Sequence, residues 1–127
     1  MESSLSPLII KGKKISVPII QGGMGVGVSL HPLAIAVAKE GGVGIVSSAC
    51  LDRLVSKRTG KKHNTYDATY EEISLSKASG GFVGINIMVA LVRDYIDSVR
   101  ASIDAGADFI ISGAGLPLNL PAIQPPR

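Results

Sequence analysis

Apolar and polar positions follow one another in blocks along the chain, and this pattern predicts alternating strands and helices. Two apolar runs, residues 8–10 and 15–20, flank the polar segment 11–14. Gly12 lies in that segment and permits a tight turn, so the pattern predicts a short hairpin. The second run continues as a buried strand that ends at Gln21, where a glycine-rich stretch begins.

Three further apolar runs predict three more buried strands. They cover residues 43–46, 82–85 and 109–111, and small or polar residues follow each of them. These runs are apolar throughout instead of alternating with polar residues, which is typical of strands covered on both faces. With helices between them, they predict an α/β fold built on a parallel sheet of four strands.

Three helices are predicted between these strands. The first follows Ser29 as its N-cap and ends at Gly41-Gly42. The second covers residues 66–78, with Thr69 as one candidate cap of its main part. The third has the clearest pattern, because one apolar stripe runs along it. That stripe consists of Val92, Ile96, Val99 and Ile103.

The segment from Leu51 to Asn64 is polar and basic, and its pattern predicts irregular structure. Its charged residues are Arg53, Lys57, Arg58, Lys61 and Lys62, followed by His63. No aromatic residues are interleaved with them, and no nucleic-acid-binding module is recognisable. We therefore interpret the segment as a solvated loop and expect no nucleic-acid partner.

The composition fits one globular domain. The chain has 127 residues, 46% of them hydrophobic, and this length and hydrophobic content are enough for a buried core. Its net charge is +3. Cys50 is the only cysteine, so no internal disulfide can form. No apolar run approaches the roughly 18 residues of a membrane span, and no leader pattern opens the chain. We expect a cytoplasmic protein with no membrane partner.

The ends of the predicted strands form the candidate site. In a parallel α/β sheet the carboxyl ends of the strands share one face, where ligands bind. The four ends are residues 21–24, 47–49, 86–88 and 112–115, and none carries an ionisable side chain. Short polar groups and bare backbone predict a neutral hydrogen-bonding surface, suited to a flat polar heterocycle rather than to a metal.

Two features of these strand ends also have purely structural interpretations. The glycines at 22, 23, 25 and 27 either lie against a ligand or let the first helix pack closely on its strand. Asn86 either binds a ligand or satisfies backbone groups at the end of its strand. A dinucleotide-binding motif is absent, since Val28 stands where its third glycine would be.

Four stretches of the sequence carry a family resemblance. "PIIQGGMG", "GGVGIVSSA", "GFVGINIM" and "AGADFIISGAGLP" resemble, in order and spacing, the nitronate monooxygenase family, formerly called 2-nitropropane dioxygenases. That family includes the flavin-dependent enoyl-acyl-carrier-protein reductases. The resemblance covers about residues 8–121. It implies a (β/α)8 TIM barrel that holds FMN at its carboxyl face, of which this chain is the N-terminal half, about four βα units after the hairpin.

The resemblance also implies roles for residues at the strand ends. The implied cofactor-binding residues are Gly22, Gly23 and Met24 along the flavin ring, Asn86 hydrogen-bonded to the flavin, and Ser47 as a weaker contact. The implied substrate-side residues are Ser112, Gly113 and Ala114. No catalytic residue and no metal ligand are implied here, because the family's catalytic histidine and phosphate grip lie in the second half of the barrel.

The implied activity is FMN-dependent oxidation of alkyl nitronates with molecular oxygen. Enoyl-acyl-carrier-protein reduction is the alternative within the family. An alternative of another class is a non-catalytic half-barrel that self-associates through its exposed edges.

We expect residues 1–127 to form one incomplete FMN-binding barrel domain. Within it, residues 1–17 are the N-terminal segment and hairpin, and residues 117–127 are an irregular proline-rich tail that cannot continue as a helix. The expectation is an N-terminal fragment that is inactive by itself.

Overall fold

The structure, a computed structural model, describes residues 4–123. It shows a mixed α/β architecture with a parallel sheet and helices. The elements in chain order are β1 (Leu8–Ile10), β2 (Lys13–Ile15), α1 (His31–Lys39), β3 (Val43–Ser47), α2 (Leu51–Thr59), α3 (Thr65–Lys77), β4 (Phe82–Met88), α4 (Val92–Asp104), β5 (Phe109–Gly113) and the 3-10 turn Leu120–Ala122. None of the helices in this part of the chain is long and apolar enough to cross a membrane.

The main sheet consists of β3, β4 and β5, which run parallel with β4 in the middle. Ile20 adds a single parallel bridge to Val43, so the segment before Gln21 lies beside β3. The predicted strand at 15–20 is therefore wrong in extent, and both Ile19 and Ile20 are exposed. Pro18 lacks an N–H for a ladder, and no described strand pairs with the other side of this edge.

The predicted hairpin is confirmed. β1 and β2 pair antiparallel, and Lys11 and Gly12 take positive φ values of 45° and 77° in the turn. Ile15 of β2 is fully buried with Val43 and Ile45. The hairpin thus covers one part of the sheet face that the helices leave uncovered.

The helices cover the opposite face and form the main core with it. Val46, Val83 and Ile85 point into this core, and α1 lies so close that a Cβ at Gly44 would overlap the backbone of Ala34. Close packing between helix and strand thus requires a glycine inside β3. The position where this packing requires a glycine is Gly44, which is not one of the glycines that follow Gln21.

Residues 51–64 are not irregular as predicted, because α2 occupies most of them. Leu51 and Val55 are buried one turn apart, Asp52 lies in the first turn, and Gly60 ends the helix with a φ of 72°. The acidic first turn and the basic last turn suit the helix dipole. A helix of 9 residues is too short for its apolar periodicity to be recognised within a basic sequence.

Three details of the helix predictions are also corrected. Leu30, not Ser29, is the N-cap of α1. Asn64 caps α3 by accepting the Asp67 N–H at 2.8 Å, whereas Thr69 is buried inside that helix. On α4 the predicted stripe is partly exposed, with Val92 at 75%. The buried residues of α4 are Tyr95, Ser98, Val99, Ala101 and Ser102.

The proline-rich tail is irregular from 117 to 119 and then forms the 3-10 turn Leu120–Ala122. The last four residues of the predicted tail, 124–127, and the first three of the predicted N-terminal segment lie outside the described residues.

Candidate functional site

The carboxyl ends of the strands meet around Asn86 of the central strand. Asn86 is paired with Ser47 of β3 on one side and with Ile111 of β5 on the other. The side chains of a strand alternate between faces, and Ile85 and Ile87 point into the helix-facing core. Asn86 therefore faces the side of the sheet without helices, where it is half-buried.

Gly23 lies directly against Asn86. A Cβ at Gly23 would lie 2.6 Å from the Asn86 Cβ and 3.2 Å from the Ile45 Cγ2. The Asn86 Nδ2 donates a hydrogen bond to the Gly23 carbonyl oxygen at 3.3 Å. The φ of Gly23 is not in the left-handed region. Glycine is needed here because two strand ends approach closely, not because of a turn conformation.

Gln21 and Ser29 fix the path of this glycine loop. The Gln21 side chain accepts the Ile45 N–H at 3.1 Å and donates to the Ile45 carbonyl at 3.2 Å. It also donates to the Ser29 hydroxyl at 3.1 Å, and that hydroxyl accepts the Met24 N–H at 2.9 Å. The amide of Gln21 thus replaces a missing stretch of backbone ladder beside β3. The sequence analysis did not predict these hydrogen bonds. Their one sign in the sequence is that a glutamine ends an apolar run.

Two other predicted cofactor-binding residues border the same loop. The side chain of Met24 is 63% exposed, so its thioether is accessible above the loop. Ser47 is buried, and its N–H donates to the Ser29 carbonyl at 2.8 Å. A Cβ at Gly25 would lie 3.7 Å from the Ser47 hydroxyl. Ser47 therefore lies beneath the loop, and Met24 lies on its outer side.

The predicted substrate-side residues at the end of β5 divide between two faces. The Ser112 hydroxyl lies 3.1 Å from the Tyr95 hydroxyl, so it contacts α4. Gly113 is next to Asn86, because a Cβ there would lie 3.5 Å from the Asn86 Oδ1. Ala114 is exposed and has a φ of 54°. The structure thus brings Gly23, Asn86 and Gly113 together and places the Ser112 side chain in the helix layer.

A buried carboxylate anchors the segment that leads from Ser29 into α1. Glu72 of α3 is fully buried, and its Oε1 accepts the His31 N–H at 2.6 Å and contacts the His31 Nδ1 at 2.7 Å. Its Oε2 accepts from Arg58 at 2.8 Å. Burial alone would raise the pKa of Glu72, but these bonds outweigh it and hold the pKa below its ordinary value. The sequence pattern did not predict this network.

The other groups with shifted pKa values form hydrogen bonds or ion pairs, and none of them is a predicted site residue. Tyr66 has a raised pKa because it donates a hydrogen bond to Asp104. Asp108 has a lowered pKa, because hydrogen bonds led by that from Lys77 outweigh the effect of burial. Within residues 4–123, no group of three His, Cys, Asp or Glu residues is placed to hold a metal ion. The site offers amide, hydroxyl and backbone groups.

Comparison with known proteins identifies one family. The family model described as nitronate monooxygenase matches residues 6–121, which includes every strand end of the site. No curated protein matches the chain.

Proposed function

The chain belongs to the nitronate monooxygenase family, and we propose on that premise that its strand ends bind the ring of FMN. In this proposal the chain contributes the N-terminal half of a (β/α)8 barrel in an FMN-dependent oxidoreductase. Its substrates are alkyl nitronates and molecular oxygen. The contact between Gly23 and Asn86 is the observation that carries the proposal, because it places bare backbone and one amide side by side.

The chemistry of the residues present fits a flat polar heterocycle. Such a ring needs an apolar or backbone surface on its face and hydrogen-bonding groups at its edge. The glycine loop supplies backbone without side chains, and Asn86 supplies a half-buried amide. The Nδ2 of Asn86 already donates to the Gly23 carbonyl, and its Oδ1 accepts no hydrogen bond from residues 4–123. That oxygen is available to an N–H at the edge of a ring.

Each residue of the site has one proposed task. Gly22 and Gly23 present their backbone to the ring, and Met24 covers it with an exposed thioether. Asn86 hydrogen-bonds the polar edge, with Ser47 as a weaker contact below. The region where substrate enters is bordered by Ser112, Gly113 and Ala114. Bound FMN would supply the redox chemistry, and we assign no catalytic acid or base to these residues.

A titration followed by nuclear magnetic resonance tests this proposal even if affinity is weak. FMN added to the labelled chain is expected to shift the amide signals of residues 22–24 and the side-chain amide of Asn86. Asn86→Leu should weaken binding by about 1–3 kcal/mol, the cost of an unpaired polar partner, or about fivefold to 150-fold. Asn119→Leu, at an exposed position, is the matched control. Shifts confined to other residues, or equal affinity in both variants, would exclude Asn86 as a ligand.

A second candidate function is a non-catalytic half-barrel that self-associates. It is favoured by apolar residues exposed along α4 and after β5, which are Val92, Ile96, Leu116 and Leu118. Ile111 of β5 is also exposed, and β5 pairs only with β4 among the described strands. Sedimentation velocity tests this candidate: a concentration-dependent dimer would support it, and a monomer at every concentration would reject it.

A further inference from the structure

A cavity of about 190 Å³ lies on the helix side of the sheet, where three helices begin. Its walls come from residues 50–53 at the start of α2, Thr65 at the start of α3 and residues 93–95 at the start of α4. Five further residues complete the lining, and these are Ser48, Ile87, Met88, Leu91 and Ser98. Ile87 belongs to the helix-facing core, whereas Asn86 points to the opposite face. The cavity shares Ser48 and Met88 with the strand ends, but it lies on the opposite face of the sheet from Asn86 and contains none of the residues assigned to FMN.

Backbone donors surround this cavity. The first N–H groups of a helix have no partner within the helix, and the helix dipole makes that end positive. Neither α2, with Cys50 as N-cap, nor α4, with Leu91 as N-cap, has a side-chain cap. Two uncapped helices therefore direct the positive ends of their dipoles at one small space.

A buried hydroxyl provides an independent sign of a ligand. Ser98 is only 2% exposed and lines the cavity, yet its hydroxyl has no hydrogen-bond partner among residues 4–123. The other two buried serines within the described helices donate to the carbonyl one turn earlier, Ser102 to Ser98 at 2.6 Å and Ser76 to Glu72 at 2.9 Å. The fully enclosed side-chain oxygen without a partner in residues 4–123 is that of Thr69, so the Ser98 oxygen is accessible from the cavity that it lines and can hydrogen-bond a ligand there.

The charges around the cavity leave one arginine unpaired. Asp94 accepts from the Thr65 hydroxyl at 3.1 Å and lies 3.5 Å from the Arg93 Nε. Arg53 and Asp52 also line the cavity, and neither side chain forms an ion pair within the described part of the chain. Arg53 is therefore available to an anion, and the carboxylates of Asp52 and Asp94 would oppose it.

We propose that this cavity binds a small tetrahedral oxyanion, such as inorganic phosphate or a phosphate monoester group. The N–H groups at the starts of α2 and α4 and the Ser98 hydroxyl hydrogen-bond its oxygens, and Arg53 balances its charge. The volume of about 190 Å³ is large enough for an ion of this size. The site depends on none of the residues assigned to FMN, so either proposal can fail without the other.

Titration of the labelled chain with inorganic phosphate at constant ionic strength tests this site. Saturable shifts are expected for the amides of residues 52–53 and 92–93. Ser98→Ala should weaken binding about twofold to tenfold and Arg53→Gln about tenfold or more, as befits neutral and charged hydrogen bonds. Asp52→Asn should tighten binding, because it removes an opposing charge. Arg100→Gln, on an exposed part of α4 outside the cavity, should change nothing.

Three results would overturn the proposal. One is the absence of saturable shifts at the two helix starts in the wild-type chain. Another is equal affinity in Arg53→Gln, Asp52→Asn and Arg100→Gln, three changes at exposed or half-buried positions that the fold should tolerate. The third is acetate binding as tightly as phosphate, which would exclude selectivity for a tetrahedral oxyanion. A shift confined to residues 52–53 and 92–93, with the opposite effects of Asp52→Asn and Arg53→Gln, would establish it.

Discussion

The carboxylate of Glu72 binds His31 twice, through the backbone N–H at 2.6 Å and through the side-chain Nδ1 at 2.7 Å. Because His31 is the first residue of α1, a residue of α3 performs the capping that the N-cap Leu30 cannot provide. Arg58 of α2 supplies the compensating positive charge at 2.8 Å. One carboxylate thus ties three helices together behind the loop that leads to the candidate site.

Glu72→Gln should lower the free energy of unfolding by about 2–4 kcal/mol, since it removes a buried charge from its hydrogen-bonded partners. Urea unfolding followed by circular dichroism measures the change. Glu71→Gln is the matched control, because Glu71 pairs with the same Arg58 and with His63 but is partly exposed. That control should cost less than about 1 kcal/mol. Equal losses in the two variants would show that the Glu72 network contributes no more than a surface ion pair.

Stability should fall with acidification because two carboxyl groups have lowered pKa values in the folded chain. Burial raises the pKa values of Glu72 and Asp108, but their hydrogen bonds outweigh it. For Asp108 these come from Lys77 at 2.7 Å, Val83 N–H at 2.9 Å and Lys13 at 2.9 Å. The stability contributed by Glu72 and Asp108 is complete at pH values above the ordinary pKa values, 4.5 for Glu and 3.8 for Asp. It is lost as the pH falls through the lower values of the folded state.

Urea midpoints measured from pH ~7 to pH ~3 test this sign. The wild-type midpoint should stay level above the ordinary pKa values and decline below them. Asp108→Asn should flatten part of that decline at the cost of lower stability near neutral pH. A midpoint that rises on acidification would contradict the direction given for both groups.

The sequence pattern predicted the strands better than the helix faces. The apolar runs that form β3, β4 and β5 could be predicted without knowing which residues they contact, because a strand covered on both sides is apolar throughout. α4 is different: Val92 and Ile96 fit a helical stripe but are exposed, while Ser98 and Ser102 are buried. Small polar side chains let α4 approach α3, and that preference depends on tertiary packing, which periodicity cannot express.

The candidate site could be predicted where it follows from topology. Parallel strands place their ends together, and that rule alone predicted that Asn86 and the glycine loop would be neighbours. The bonds between Gln21 and Ile45, and from Glu72 to His31, could not be predicted in this way. Each joins residues far apart in sequence whose distance is fixed only when the helices pack. For the same reason Ser29 was wrongly predicted as the N-cap of α1, whereas its hydroxyl accepts the Met24 N–H.

Thr69→Val should stabilise the chain by about 1 kcal/mol. The Thr69 hydroxyl is buried without a hydrogen-bond partner in the described structure, and valine keeps the shape while removing that desolvation cost. Thr59→Val is the matched control, because the Thr59 hydroxyl donates to the Val55 carbonyl at 2.9 Å and its loss should give no gain. Thermal unfolding of both variants measures the difference. A lower midpoint for Thr69→Val would indicate that its hydroxyl has a water partner.

Gly23→Ala should destabilise the chain by about 1–3 kcal/mol, the usual cost of overpacking, because the new Cβ would lie 2.6 Å from that of Asn86. Gly22→Ala is an adjacent control: a Cβ there has nothing within 4 Å, and its φ is not left-handed. That variant should be neutral or slightly stabilising. Urea unfolding measures both.

A double-mutant cycle then isolates the contact itself. In an Asn86→Gly background the opposing Cβ is gone, so Gly23→Ala should cost clearly less than it does in the wild-type chain. The same variants also separate packing from ligand binding, because Gly22→Ala leaves the contact with β4 unchanged while adding a methyl group to the proposed ring surface. Equal stability of Gly22→Ala and Gly23→Ala would mean that the loop relaxes away from β4 at no cost. The close approach of the two strand ends would then no longer account for the glycine.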